Sequence, residues 1–82
     1  MEMLEKIINA YPDETFLKAD GFDNCIIGVD EKNNRLIYSV AKCIETLKAE
    51  MSTGDAIEYF NFNIAGAGGD GFPIYVYIPE HE

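Results

Sequence analysis

The chain has 82 residues, of which 48% are hydrophobic, and its formal net charge is −9. This size predicts a single domain over residues 1–82, near the lower limit for a self-sufficient core, and the apolar share excludes a disordered or fibrous chain. The acidic charge argues against direct binding to nucleic acid or to an anionic membrane surface, because such binding needs basic side chains at the phosphates.

The sequence also favours a cytoplasmic location. No apolar run approaches the ~18 residues needed to span a bilayer. The N-terminal segment carries Glu2 and Glu5, where a signal peptide would need positive charge. We therefore expect a protein of the cytoplasm that has no contact with a membrane.

The first part of the chain predicts one helix and a β-hairpin. Apolar residues recur at helical spacing over residues 2–11, and Pro12 ends that helix. A connector follows with two apolar anchors, Phe16 and Phe22. Apolar and polar residues then alternate on both sides of the polar segment EKNN, which predicts a hairpin over residues 24–40.

The second part predicts two helices and a last strand, which gives the element order α-β-β-α-α-β. Helical periodicity covers residues 40–51 and 53–65, and Ser52 with Asp55 resembles a capping box at the start of the second helix. The segment 72–79, FPIYVYIP, reads as a short strand bracketed by prolines.

The apolar stripes predict which side chains of the last two elements face the core. The residues expected to point inward are Ile57, Phe60, Ile64, Ile74, Val76 and Ile78. Phe62 is expected to pack against the C-terminal segment. These stripes are buried most simply by an α+β fold, a three-stranded antiparallel sheet with helices packed on one face.

Residues 66–71 read GAGGDG and match the dinucleotide-binding pattern G-x-G-x-x-G. That fingerprint needs a strand before the glycines and a helix after them, so that free N–H groups at the helix start meet the pyrophosphate. Here the predicted order is reversed, and Asp70 adds a negative charge. The glycines therefore predict a helix end and a flexible turn, with Gly66 as the residue after the helix C-cap.

The sequence shows no catalytic or metal-binding constellation. Cys25 and Cys43 lie among aliphatic neighbours and are predicted to be buried thiols in a reducing compartment. The only histidine, His81, lies at the C-terminal end, away from any thiol that it could activate or join as a metal ligand. We expect no enzymatic activity, no cofactor and no metal ion.

The candidate partner-binding residues are acidic or aromatic. All six Lys and Arg lie in the first 48 positions, and the rest of the chain carries six carboxylates. Asp55, Glu58 and Asp70 are therefore candidates for contacting a basic protein. Tyr75 and Tyr77 are predicted on the sheet face opposite the helices, where they either form an interface, a homodimer included, or reflect the β-propensity of tyrosine.

The string GFDNCIIGVD…RLIYSVAKCIETLKAEMSTGDAIEYFNFNIAGA resembles small proteins of unknown function from tailed phages and prophages. Their pattern has F-D-x-x-I-I-G at the start of the hairpin, K-C-I-E at the start of the next helix and M-S-x-x-x-A-I-E-Y-F-x-F-N in the last helix. The matching residues are Phe22, Asp23, Ile26, Ile27, Gly28, 42–45, 51–63, Gly66 and Ala67. The resemblance covers residues 21–67 and departs at GGDGFPI, where these proteins carry a bulkier segment before T-P-I. It implies a phage or prophage setting and no particular activity.

Small size, acidity and the phage-like pattern together predict a non-enzymatic protein that binds and inhibits a host protein, in the cytoplasm of the bacterial host. The target would be a defence or regulatory factor whose basic groove holds nucleic acid, so that Asp55, Glu58 and Asp70 imitate phosphates in an anti-CRISPR-like manner. Two alternatives remain. One is a homodimeric structural or housekeeping module joined through Tyr75 and Tyr77, and the other is a protein that binds a small molecule.

Overall fold

The computed structural model describes residues 2–66 and 68–79. Its elements are α1 (Met3–Ala10), β1 (Ile26–Asp30), β2 (Arg35–Ser39), α2 (Val40–Leu47), α3 (Thr53–Asn63) and β3 (Ile74–Val76), with a 3-10 helix (Asp23–Cys25) before β1. The α+β class is confirmed, and the predicted order differs only by the 3-10 helix. Two residues discussed above, Ala67 and His81, lie outside the described residues.

The sheet has the strand order β1-β2-β3 and is mixed, so the prediction of an antiparallel sheet is wrong for one of its two strand pairs. β1 and β2 form the predicted antiparallel hairpin, closed by the pair Asp30 and Arg35. β3 instead runs parallel to β2, with Tyr38 opposite Tyr75. Parallel neighbours need a long crossover connection, and the segment that contains α2 and α3 supplies it.

The two helices of this crossover begin at serines whose side chains cap them. The Ser52 hydroxyl accepts a hydrogen bond from the backbone N–H of Asp55 at 3.2 Å, as the capping pattern predicts. The Ser39 hydroxyl accepts one from the backbone N–H of Lys42, also at 3.2 Å, at the junction where β2 passes into α2. These caps fix the starting points of α2 and α3, although both helices are shorter than the periodicity suggests.

The core lies against one face of the sheet, and all three helices contribute to it. Its fully or almost fully buried members are Ile7, Cys25, Ile26, Leu36, Tyr38, Cys43, Phe60 and Ile64. Leu36 and Tyr38 alternate along β2 and therefore point to the same, helix-covered side. The prediction that the helices pack on one face is thus confirmed, as is the burial of both cysteines, which are free thiols.

The predicted orientation of the last strand is wrong. The ring of Tyr75 lies 5.4 Å from the ring of Phe60 on α3 and 5.4 Å from that of Tyr38, so Tyr75 faces the helices. Ile74, Val76 and Ile78, which were expected in the core, lie outside the core cluster. Ile74 and Val76 are partly exposed, and Ile78 is 45% exposed. Both sets of side chains in this strand are apolar enough to be buried, so the alternation defines two faces without saying which one the helices cover.

Candidate functional site

Helix α3 carries apolar side chains on its outward side as well as on its core side. Phe60 is 3% exposed and Ile64 is buried, as predicted. Ile57 was expected to point inward and Phe62 to pack against the C-terminal segment, but they are 45% and 77% exposed, and Tyr59 is 45% exposed. A surface helix normally keeps its apolar residues on one side, so exposed apolar residues on a second side indicate a further contact. The outward side of α3 is therefore the first candidate contact surface.

Two carboxylates lie among these exposed rings. At helical spacing, Glu58 precedes Phe62 by four residues, and Asp55 precedes Tyr59 by four, so the four side chains share the outward side of α3. We call this surface, made of Asp55, Glu58, Tyr59 and Phe62, the acidic aromatic face. Of the predicted site residues, the structure thus brings Asp55 and Glu58 together.

The carboxylates of this face have no cationic partner in the described part of the chain. The ion pairs found there join Lys18 to Asp23, Arg35 to Asp30 and Lys48 to Glu45. All of these pairs lie before residue 49. The negative charge of the acidic aromatic face is therefore available to a partner.

Asp70 lies elsewhere. It lines a small depression beside the hairpin turn that it shares with Asn33 and Arg35. The guanidinium of Arg35 is held by Asp30, with 2.9 Å between Nη2 and Oδ2. The structure therefore does not group Asp70 with the two carboxylates of α3.

Tyr77 follows the end of β3 and is 67% exposed. It lines a groove of about 350 Å³ between α2 and α3, together with Ile44 and Ile57. Tyr77 therefore lies on the helix side of the sheet and not on the opposite side, which corrects its predicted position as for Tyr75. The structure separates the two tyrosines, since Tyr75 is partly buried against the core and Tyr77 is on the surface.

A second groove, of about 450 Å³, was not anticipated from the sequence. It lies on the Tyr59 side of α3, and we call it the aromatic groove. Its main lining residues are Leu17, Asp20, Phe22, Tyr59, Phe72 and Tyr75. They come from the connector before β1, from α3, from the segment that leads into β3 and from β3 itself. In the sequence, only the two apolar anchors of the connector, Phe16 and Phe22, indicate that this segment packs, because its partners are distant in the chain.

Two polar contacts join the connector, which forms one wall of the aromatic groove, to the rest of the chain. The backbone N–H of Ala19 donates a hydrogen bond of 2.8 Å to the hydroxyl of the fully buried Tyr38. The ammonium of Lys18 lies 3.2 Å from the carboxylate of Asp23. These two contacts join the connector to β2 and to the 3-10 helix before β1.

Another part of the wall is Phe72, which directly follows the glycine-rich turn. Gly69 and Gly71 have φ angles of 144° and 80°, which strongly favour glycine. The backbone N–H of Phe72 bonds to the carbonyl of Gly69 at 3.1 Å, and the Phe72 ring lies 3.4 Å from where a Cβ at Gly69 would be. The turn thus folds Phe72 back toward the groove, which is a structural role for the sequence that resembles a nucleotide fingerprint.

The prediction of Gly66 as the left-handed residue after α3 is wrong. The helix ends at Asn63 with Ile64 as its cap, and the backbone N–H of Ala65 bonds to the carbonyl of Phe60 at 2.8 Å. Gly66 is not among the residues with positive φ. A Cβ there would lie 3.4 Å from the carbonyl oxygens of Asn61 and Phe62, so the glycine instead lets the chain pass close to the helix end.

The ionisable groups near the aromatic groove are neutral at ordinary pH where they are buried. Burial, and to a lesser extent the neighbouring Tyr38, raises the pKa of Tyr75 to about 12. Burial and the adjacent Cys25 raise the pKa of Cys43 to about 12. A thiol with so high a pKa is a poor nucleophile, because the thiolate is the reactive form. Within residues 2–66 and 68–79, no group of three or more His, Cys, Asp or Glu is placed to hold a metal ion.

Comparison with known proteins adds no further constraint on these surfaces. No protein-family model, curated protein or solved structure matches the chain. No helix in the described part of the chain is long and apolar enough to cross a membrane. The functional argument therefore rests on the acidic aromatic face and the aromatic groove.

Proposed function

We propose that this chain is a small phage-type protein that binds a host protein through the acidic aromatic face of α3 and inhibits it without catalysing a reaction. The observation that carries the proposal is the 77% exposure of Phe62 next to carboxylates that have no ion-pair partner in the described residues. An exposed ring of this size offers a rigid anchor for a partner, and the carboxylates around it select the partner's charge.

The charge distribution favours a basic partner. From residue 49 onward the sequence contains carboxylates and no Lys or Arg, so the field over α3 is negative and is not locally neutralised. Such a field attracts a positively charged surface and repels acidic ones. A partner whose basic groove normally holds nucleic acid fits this requirement, because its arginines and lysines already match regularly spaced anions.

Inhibition is the expected consequence of occupying such a groove. A chain of this size that covers a nucleic-acid-binding surface competes with the nucleic acid directly and needs no catalytic residue. The phage-like sequence pattern suggests that the partner is a defence or regulatory factor of the bacterial host, and the mode of action would be anti-CRISPR-like in kind.

The test compares matched variants in capture from bacterial lysate at two salt concentrations, read by mass spectrometry. Asp55→Asn/Glu58→Gln neutralises the acidic aromatic face, and Asp13→Asn/Glu14→Gln makes the same change of net charge in an exposed turn. We expect a nucleic-acid-binding protein whose capture is weakened by salt, lost in the first variant and retained in the second. The purified partner should also be displaced by its nucleic acid. Equal capture by both variants would contradict the proposal.

Two further variants define the extent of the contact. Phe62→Ser removes the anchor ring and should reduce capture without unfolding the chain, because the ring is mostly exposed. Asp70→Asn tests whether the partner also contacts the region of the hairpin turn, where Asp70 lies beside Arg35. Loss of capture in both variants would mean that the partner covers α3 and this turn together.

One observation favours a second candidate function, a homodimeric module. Ile37 and Ile74 pair across β2 and β3 on the sheet face away from the core, and both are partly exposed, as is Val76. This alternative uses these residues in place of Tyr75. The charge of −9 on each copy opposes self-association, and more strongly at low salt. Sedimentation showing a strict monomer at high micromolar concentration would exclude the homodimer.

A further inference from the structure

We infer that the aromatic groove accepts an arginine side chain of the same basic partner, an inference that rests on the proposed function. Tyr59 belongs to both the acidic aromatic face and the lining of the groove, so the two surfaces are contiguous on α3. A partner docked on the outward side of the helix would therefore have residues directly above the groove.

The walls of the groove suit a cation that is weakly hydrated and flat. They include four aromatic residues, Phe22, Tyr59, Phe72 and Tyr75. The faces of aromatic rings attract cations, and guanidinium groups stack on them more often than ammonium groups do. Tyr75 forms the part of the wall that borders the core, where its contacts with Phe60 and Tyr38 hold the ring in place.

The polar residues of the groove supply the hydrogen-bond acceptors that a guanidinium needs. Asp20 contributes a carboxylate that is in no ion pair within the described residues, and Asn63 contributes a side-chain amide. A guanidinium presents five N–H donors in a fixed plane and can bond to more than one acceptor while it stacks. Lysine offers a compact, strongly hydrated ammonium that makes less use of flat walls.

One basic side chain of the protein, Lys18, also lines the groove, and it already forms an ion pair. The ammonium of Lys18 lies 3.2 Å from the carboxylate of Asp23, so its charge is partly neutralised and its side chain is directed to Asp23. This leaves Asp20 as the charged acceptor for an incoming side chain. The groove is about 450 Å³ in volume, within the range of sites that hold small ligands.

The experiment is a titration of the full chain, labelled with nitrogen-15, followed by amide chemical shifts in NMR spectra. The probe is the capped tripeptide acetyl-Gly-Arg-Gly-amide. Two matched peptides replace arginine by citrulline, a neutral group of the same shape, or by lysine. We expect saturable shifts at Asp20, Tyr59, Asn63 and Phe72 with the arginine peptide, at least about threefold weaker binding of the lysine peptide, and no saturation with the citrulline peptide.

Variants separate a specific site from general charge attraction. Asp20→Asn should weaken arginine binding by about threefold, the size expected of a solvent-exposed ion pair. Asp13→Asn removes the same charge outside the groove and should leave binding unchanged. Phe72→Leu should also weaken binding, and the spectra show directly that each variant is folded. Equal binding of the citrulline peptide, or equal weakening by the two aspartate variants, would overturn the inference.

The two proposals fail in different experiments. If the arginine peptide does not bind but partner capture still depends on Asp55 and Glu58, the groove is not an arginine site and the proposed function stands. If the peptide binds at the groove but capture is indifferent to Asp55 and Glu58, the proposed function is wrong and the groove binds arginine from another source.

Discussion

Phe60 and Phe62 of α3 make the orientation of this helix testable, because they lie two residues apart in opposite environments. Phe60 is 3% exposed and packs edge-on against Tyr75, with 5.4 Å between the ring centroids. Truncating a buried Phe to Ala costs about 3–5 kcal/mol. A core of this size supplies only about 3–5 kcal/mol in total, so Phe60→Ala should be largely unfolded. Phe60→Leu keeps most of the apolar volume and should cost about 1–2 kcal/mol, including the lost aromatic pair.

The same substitutions at Phe62 should leave stability unchanged. Its ring is 77% exposed, and surface substitutions usually change the free energy of unfolding by at most ~0.5 kcal/mol. Urea unfolding followed by far-ultraviolet circular dichroism measures both residues, and an unchanged slope with denaturant shows that only stability has changed. A loss of more than about 1 kcal/mol in Phe62→Leu, or none in Phe60→Leu, would mean that α3 is rotated from the orientation described.

Three further predictions concern the backbone, the connector and the buried thiol. Gly54→Ala, in α3 with open space around it, should stabilise the chain by about 0.5–1 kcal/mol, whereas Gly71→Ala, at a φ of 80°, should destabilise it by about 1–2 kcal/mol in the same urea assay. Tyr38→Phe removes the acceptor of the Ala19 N–H and should cost about 1 kcal/mol, with faster amide hydrogen exchange at Ala19 than in the wild type. Because burial raises the pKa of Cys43 from 9.0 to about 12, the native state keeps a proton that the unfolded chain releases. The free energy of unfolding should therefore fall as pH rises from about 9 toward 12, and less steeply in Cys43→Ala.

The sequence predicts the fold well where the signal is local. Ser52 and Asp55 mark the start of α3, and the polar turn between β1 and β2 marks the hairpin, since a cap or a turn depends on residues a few positions apart. The direction of β3 depends instead on how the chain returns after two helices, and no short segment encodes that return. For the same reason, the pairing of Tyr75 with Tyr38, which decides the buried face of β3, was not predictable.

The candidate site was predictable only as a list of carboxylates and two tyrosines, without their grouping in space. Asp55 and Glu58 could be proposed from the absence of Lys and Arg after residue 48, which is visible in the sequence. Phe62 could not, because a Phe near two core positions of a helix is usually buried with them. The aromatic groove was harder to predict than the acidic aromatic face, because its walls come from parts of the chain that are far apart in sequence: Leu17, α3 and Phe72.

The negative charge of this chain is related physically to its exposed aromatic rings. Exposed apolar side chains such as Ile57 and Phe62 promote association between copies, and a small acidic chain counters this by electrostatic repulsion. Toward a basic partner, the same negative charge produces attraction instead of repulsion. Under the proposed function, solubility and recognition are therefore not competing explanations of the net charge of −9. Carboxylates beside an exposed ring would oppose contact between identical copies and favour contact with a basic surface. The acidic aromatic face combines both effects in about two turns of helix α3.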